Sequence, residues 1–421
     1  MGWRGRAWVL VMVAAGCHAS APVAPRAAVP SVAPVTIELP QTNPTVPVLD
    51  AKGLPRLPPR TVTGPTGTFR LLTEPDCLRL AAANSAAANL LDDETRVPPP
   101  AEACDSPSDK LRRVLRYHTA LELRNQAAAE ALDRFFQLAD AEARTDLLRQ
   151  AFPVIDGQLT KAKAAAAAGV RFPLEVADLE RQRSQLESQL EQAELGSRLL
   201  NLDLKRRLGL PARPAGERLW PGGDFGIDPE PVDPEAAVTA ALADRPELRG
   251  LRALYHGLTP ETLPDVRDLL RAGSPLLGGR SGEPVANPGL LMRILLWKYG
   301  PDPAALAAET EVRKKQLYTV IAERERVVAD EARAAALALN SQRVRVALAR
   351  DRMLGWEEKL AEAVKKRDAN QPGAELLEAQ VRLEWLKAKA ELAAEVAAWH
   401  QARVRLRAAQ GWLAWEAAGP K

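Results

Sequence analysis

The chain is short of the residues that usually build a catalytic or metal site. Four histidines are scattered over 421 residues (His18, His118, His256 and His400) with no helical pairing. Three cysteines, Cys17, Cys77 and Cys104, have no metal-ligand spacing. A nucleophile elbow, a phosphate loop and a zinc signature are all missing. "LLGGRSGEP" is Gly-rich, but it follows no strand and carries no Lys-Ser or Lys-Thr, so it reads as a loop. We therefore expect no catalytic, cofactor-binding or metal residues and no enzyme. A net charge of +3 is too small for a nucleic-acid footprint, and Lys and Arg are interleaved with Glu and Asp. No apolar run approaches the roughly 20 residues that a spanning helix needs; "LLMRILLWKYG" is far too short. Aromatics are only 5%. What remains is rich in Ala, Glu, Leu, Lys and Arg, a composition of long helices and coiled coil.

The N-terminus, "MGWRGRAWVLVMVAAGCHAS", has a basic start (Arg4, Arg6), a short apolar core and then Ala15-Gly16-Cys17. That is the build of a secretory signal. Small residues directly before a cysteine resemble a bacterial lipobox, which implies lipidation of Cys17 after removal of residues 1–16. His18 rather than Asp after the cysteine points to the outer membrane by the same resemblance. In an exported chain, Cys77 and Cys104 could pair, or stand as two unrelated small residues.

Residues 17–70 form a Pro-rich tether that cannot bury a core. The folded part then repeats one layout. Thr73 and Pro75 suit a helix start at "LLTEPDCLRLAAANSAAANLL". A loop leads to a long helix opening at Ser108 or Asp109, with Pro153 as a possible kink. Gly169 to Pro173 break it near Ala168. A second helix, Leu174 to Leu208, stops at Gly209 with Pro211 beyond. After the linker 210–234, "AAVTAALADRPELRGLRALYHGL" opens another helical stretch. A Pro/Gly-rich segment follows, Thr259 to about Pro303. A helix from about Ala304 to Arg367 meets the corner Asn370-Gln371-Pro372-Gly373, and a last helix runs from Ala374 to about Trp415. The order is an internal duplication, read from layout: residues 71–209 and 235–415.

Each returning helix carries a seam. Leu186, Leu190, Ala193, Ser197, Leu200 and Leu204 step by four and three, and so do Leu383, Leu386, Ala390, Ala393, Ala397, His400 and Val404. That spacing averages the heptad period. His400 on this seam reads as a packing residue. A tight corner makes two long helices antiparallel partners. The helix ending near Arg367 would be roughly 90 Å long. The fold class is therefore mainly α: two tandem long antiparallel helical hairpins.

"CLRLAAANSAAANLL", "AALADRPELRGLRAL" (240–254), "AAGVRFPLEVADLERQRSQLESQLEQAELGSRLLNLDLKRRLGLP" and "PGAELLEAQVRLEWLKAKAEL" occur in an order that resembles the outer-membrane efflux protein family, the TolC-like channels. The resemblance covers about residues 71–415. It implies a homotrimer whose hairpins form a hollow periplasmic cylinder for small molecules. Its implied partners are a periplasmic adaptor protein and an inner-membrane efflux pump. Gly169, Val170, Arg171, Pro372 and Gly373 match the corners, which the family turns toward its adaptor. Lipid on Cys17 would hold the chain at the periplasmic face of the outer membrane. The family also closes a β-barrel across that membrane, with strands of roughly 9–11 alternating residues. Neither expected place shows them: "LDDETRVPPPAEACDSPSDK" is short and proline-rich, and Thr259 to Pro303 does not alternate. The other reading is a lipid-anchored periplasmic coiled-coil scaffold without a pore.

Overall fold

The computed structural model describes residues 69–97, 106–170, 172–210, 218–223, 225–264, 267 and 303–417. The elements are β1 (Phe69–Leu72), α1 (Glu74–Ala83), α2 (Ala86–Arg96), α3 (Pro107–Ala167), α4 (Val176–Arg207), β2 (Arg218–Pro221), α5 (Pro234–Asp244), α6 (Pro246–Gly257), α7 (Pro303–Asp368), α8 (Ala374–Ala409) and α9 (Trp412–Ala417). The signal and lipidation readings, Cys104, Arg171 and nearly all of the Thr259–Pro303 segment lie outside the described residues.

Local signals set most boundaries. Thr73 caps α1, its hydroxyl accepting from the Asp76 N–H, and Pro75 sits in the first turn. The cap of α3 is Ser106, whose Oγ accepts from the Asp109 N–H at 3.1 Å, two residues before the earliest start expected. α3 continues unbroken through Pro153. Two expected single helices are divided. Asn84 and Ser85 separate α1 from α2, and Arg245 followed by Pro246 separates α5 from α6. In both cases the backbone turns where a polar residue or Pro-imposed φ ends the ladder. The last expected helix is also divided, because Gly411 (φ +75°) ends α8 before α9 begins.

The chain forms two compact units. Among the described residues, the first takes in the Leu90–Ala120 and Arg245–Val327 stretches. Leu111, Leu254, Leu258, Leu263, Leu317 and Ile321 form its core. Gly257 is required there, since a Cβ would stand 2.7 Å from a methyl of Leu111. Arg324 donates to both Glu247 oxygens at 2.9 Å.

The second unit takes in the described residues of 69–89, 121–244 and 328–417. Its ion pairs fix the helix order. Lys163–Glu180, Arg183–Asp156, Arg149–Glu194 and Arg134–Asp203 run antiparallel between α3 and α4. Arg367–Glu378 and Arg352–Glu391 do the same for α7 and α8. Lys161–Glu375, the Asn125 amide on the Ala408 carbonyl, and Leu147 and Ala151 against Leu386 join α3 to α8. The result is a single layer in the order α4, α3, α8, α7. β1 and β2 pair in parallel beside it, Phe69 opposite Arg218 and Leu72 opposite Pro221. They are the only strands among the described residues.

Candidate functional site

Three features of the layer stand out: its corners, its central belt and its two edges.

The corners are built from the same hydrogen bonds. At the end of α3, the Gly169 N–H donates to the Ala166 carbonyl (3.1 Å) and the Val170 N–H to the Ala165 carbonyl (2.9 Å). At the end of α7, the Asn370 N–H donates to Arg367 (2.8 Å) and the Gln371 N–H to Lys366 (3.1 Å). Both are Schellman closures, which need a left-handed residue at the turn. Gly169 (φ +68°) and Asn370 (φ +51°) supply it. Asn370 is thus the functional counterpart of Gly169, a role the sequence reading missed. The signal was available, since Asn is the residue that most readily replaces Gly in this conformation. Gly373 (φ +77°) begins α8, beside the exposed Pro372. Val170 is exposed. The Lys161 Nζ–Glu375 Oε2 contact (2.5 Å) brings the two corners to one end of the layer.

The central belt gathers three of the six phenylalanines around one histidine. Phe136 stacks on His400 with centroids 4.7 Å apart, and Phe225 and Trp399 meet the imidazole edge-on at 5.6 and 4.9 Å. Phe135 packs against both phenylalanines. Neither nitrogen of His400 makes a hydrogen bond of good geometry. Burial, then the nearby Arg403, push its pKa down to about 3, against a weak opposing pull from the Phe225 backbone. His400 is a neutral packing residue, as its place on the seam predicts. Just beyond the belt, Arg218 reaches the fully buried Glu142 and donates to the Ser197 hydroxyl at 2.7 Å. Asn201 clamps β2, donating to the Leu219 carbonyl (2.7 Å) and accepting from its N–H (3.2 Å). Asn340 makes the same double contact with Val232 (2.8 and 2.9 Å). Cys77 is free and fully buried, and burial, with Glu74 and Asp76 nearby, raises its thiol pKa far above the usual range.

The inner and outer helices differ, which the equal seams did not reveal. The α8 seam is buried or half-buried, and α8 has a second buried face at Ala388, Leu392, Val396 and Trp399 because α3 and α7 flank it. The α4 seam is less covered: Leu186, Leu190, Ala193 and Leu200 are half-buried, and Ser197 and Leu204 are buried. Leu195, Leu199 and Leu202 form an exposed stripe on α4, and Leu337, Val344 and Leu348 form another on α7. Between these edges lies a groove of about 1420 Å³, lined by all four helices. Its walls mix leucine and alanine (Leu147, Leu186, Leu348 and Leu383 among them) with a row of glutamines on α4, Gln182, Gln185, Gln189 and Gln192, and with Asp140, Arg144, Arg345 and Glu391. Burial raises the Asp140 carboxyl pKa, with Arg144 at 2.9 Å pulling the other way. The groove is an open, amphipathic surface of small apolar side chains with amides and charges of both signs among them. Among the described residues, no cluster of His, Cys, Asp and Glu could hold a metal, and no helix is long and apolar enough to cross a membrane.

The sequence matches no protein-family model and no curated protein. Solved structures do match. The fold is similar to the CmeC outer membrane channel of Campylobacter jejuni (13% identity, TM-score 0.50, covering 72% of this chain and 66% of that one). It is similar to a membrane protein from Pseudomonas aeruginosa (14%, TM-score 0.50, covering 79% and 86%). It is also similar to CusC, a protein described as forming a transmembrane channel (11%, TM-score 0.50, covering 72% and 72%). The chain thus spans about two thirds of CmeC's length. At these identities the likeness is one of fold. The chain has the fold of the TolC-like outer-membrane efflux channels in their helical part, with one short parallel strand pair among its described residues in place of a closed barrel.

Proposed function

We propose that this chain is the protomer of a trimeric periplasmic tunnel that exports small molecules together with an adaptor protein and an inner-membrane pump. The observation that carries the reading is the pair of unpartnered edges. A layer with an apolar stripe on each outer helix, α4 and α7, buries them when the α4 edge of one copy meets the α7 edge of the next. Head-to-tail pairing with a three-fold rotation closes into a ring, and the groove becomes part of its lumen, where the α4 glutamines and the charges of α3, α7 and α8 meet water. The solved structures of like fold support the outer-membrane efflux setting. Gly169, Val170, Arg171, Pro372 and Gly373 form the adaptor-facing tip. Lipid on Cys17, after removal of the signal 1–16, holds the protein at the periplasmic face of the outer membrane. The tether 17–70, whose last two residues already belong to β1, sets its distance from the lipid, and the repeats 71–209 and 235–415, joined by linker 210–234, supply one wall segment each. Transport here is passive: the pump does the work, and this protein provides a wetted path.

Native mass spectrometry of the mature chain with Cys17→Ser tests the reading. Three copies per particle are expected; a monomer at micromolar concentration would sink it. The anchor is tested apart from this, since Cys17→Ser should release the protein into the soluble periplasm.

A further inference from the structure

The connection between α2 and α3 limits what this protein can do at the membrane. α2 ends at Arg96 and α3 begins at Pro107, so residues 97–106 alone join them. Ten residues span at most about 35 Å when fully extended. A hairpin must go out and return, so its tip reaches about 17 Å at best, and less once a turn is made. The hydrocarbon core is about 30 Å thick. Pro98, Pro99 and Pro100 fall inside this connection, and none of them can donate to a strand ladder. A membrane-crossing hairpin is therefore excluded here by chain length, whatever path these residues take.

The other connection, between α6 at Gly257 and α7 at Pro303, is long enough for one hairpin. Grant it one. Three protomers then supply six strands. Bacterial barrels begin at about eight, and eight strands already fill their interior with side chains. Six cannot enclose a conduit, and an unclosed sheet leaves backbone groups unpaired in lipid.

We infer that this chain ends below the bilayer and does not build its own pore; the passage across the outer membrane is supplied by a separate closed β-barrel chain. The inference rests on the tunnel reading for its three-fold count and names a further partner class for it. Two measurements decide it. Val97 is exposed at the end of α2. In a Val97→Cys, Cys104→Ser chain, a membrane-impermeant maleimide should leave intact cells unlabelled and react once the outer membrane is permeabilised. The purified trimer should give no single-channel currents in planar bilayers. Labelling in intact cells, or stepwise currents from the trimer alone, would overturn the inference while leaving the trimer standing. Oligomeric mass is read separately: a monomer would sink the tunnel reading and with it the strand count used here, whereas labelling or currents from an intact trimer would sink this inference alone.

Discussion

Gly169 and Asn370 hold the same backbone position in two different hairpins. Each is left-handed, each closes a long helix, and each donates to the carbonyl three residues back. The costs of substitution should differ in sign. Gly169→Ala puts a Cβ in a left-handed site with nothing to pack against, and should cost about 1 kcal/mol. Asn370→Gly should be neutral or slightly stabilising for the folded corner, whereas Asn370→Val should cost about 1–2 kcal/mol. Urea melts of the three variants check this ordering.

Glu142 and Arg218 make a buried ion pair whose carboxylate is shut away from water. Glu142→Ala leaves the guanidinium without that charge and should destabilise by about 3–5 kcal/mol. Replacing both, as Glu142→Leu with Arg218→Met, should recover most of the loss. A double-mutant cycle on denaturant midpoints measures it.

His400 gives stability a pH dependence. Its folded pKa of about 3 lies below the unfolded value near 6.5. Between these values the unfolded chain binds the proton and the folded chain does not. Stability from this group is thus fully present above pH 6.5 and falls as pH drops toward 3, by up to roughly 5 kcal/mol. His400→Phe should flatten that part of the profile. Thermal melts from pH 7.5 to 4 compare the two; parallel profiles would refute the assignment.

The exposed stripes make a further prediction. Leu199→Arg on α4 and Leu348→Glu on α7 should each lower the oligomeric mass with little change in helix content, because neither side chain is in the protomer core. If the two edges meet each other, combining the variants should partly restore assembly through the new charge pair. Sedimentation velocity reads all three.

Much of this was legible in the sequence. The two hairpins, their corners and the seams follow from Gly, Asn and Pro placement and from a 3.5 period, all local signals. The barrel's absence from the first connection follows from counting residues. Other features depend on neighbours that no local pattern names. The breaks at Asn84 and Arg245 lie in runs with strong helical propensity. The amides of Asn201 and Asn340 find backbone partners 18 and 108 residues away. The seams of α4 and α8 read alike, yet only α8 has helices on both flanks. The groove's four glutamines on α4 line a concave wall only in the assembled layer, and concavity leaves no mark on a local pattern.

The belt around His400 has a last consequence. Phe135, Phe136, Phe225 and Trp399 sit at one level; Trp356 and Trp385 pack half-buried partway toward the corners, and in the turns of α3, α7 and α8 nearest the corners the buried apolar residues are the small Ala162, Ala363, Ala374 and Ala379. Cohesion is therefore graded along the axis. The layer is pinned at the belt as at a fulcrum, and small side chains leave the distal turns of α3, α4, α7 and α8 with shallow purchase on one another. Amide exchange should quicken steadily from the belt to the corners, so that the tips yield to a modest push while the body stays closed.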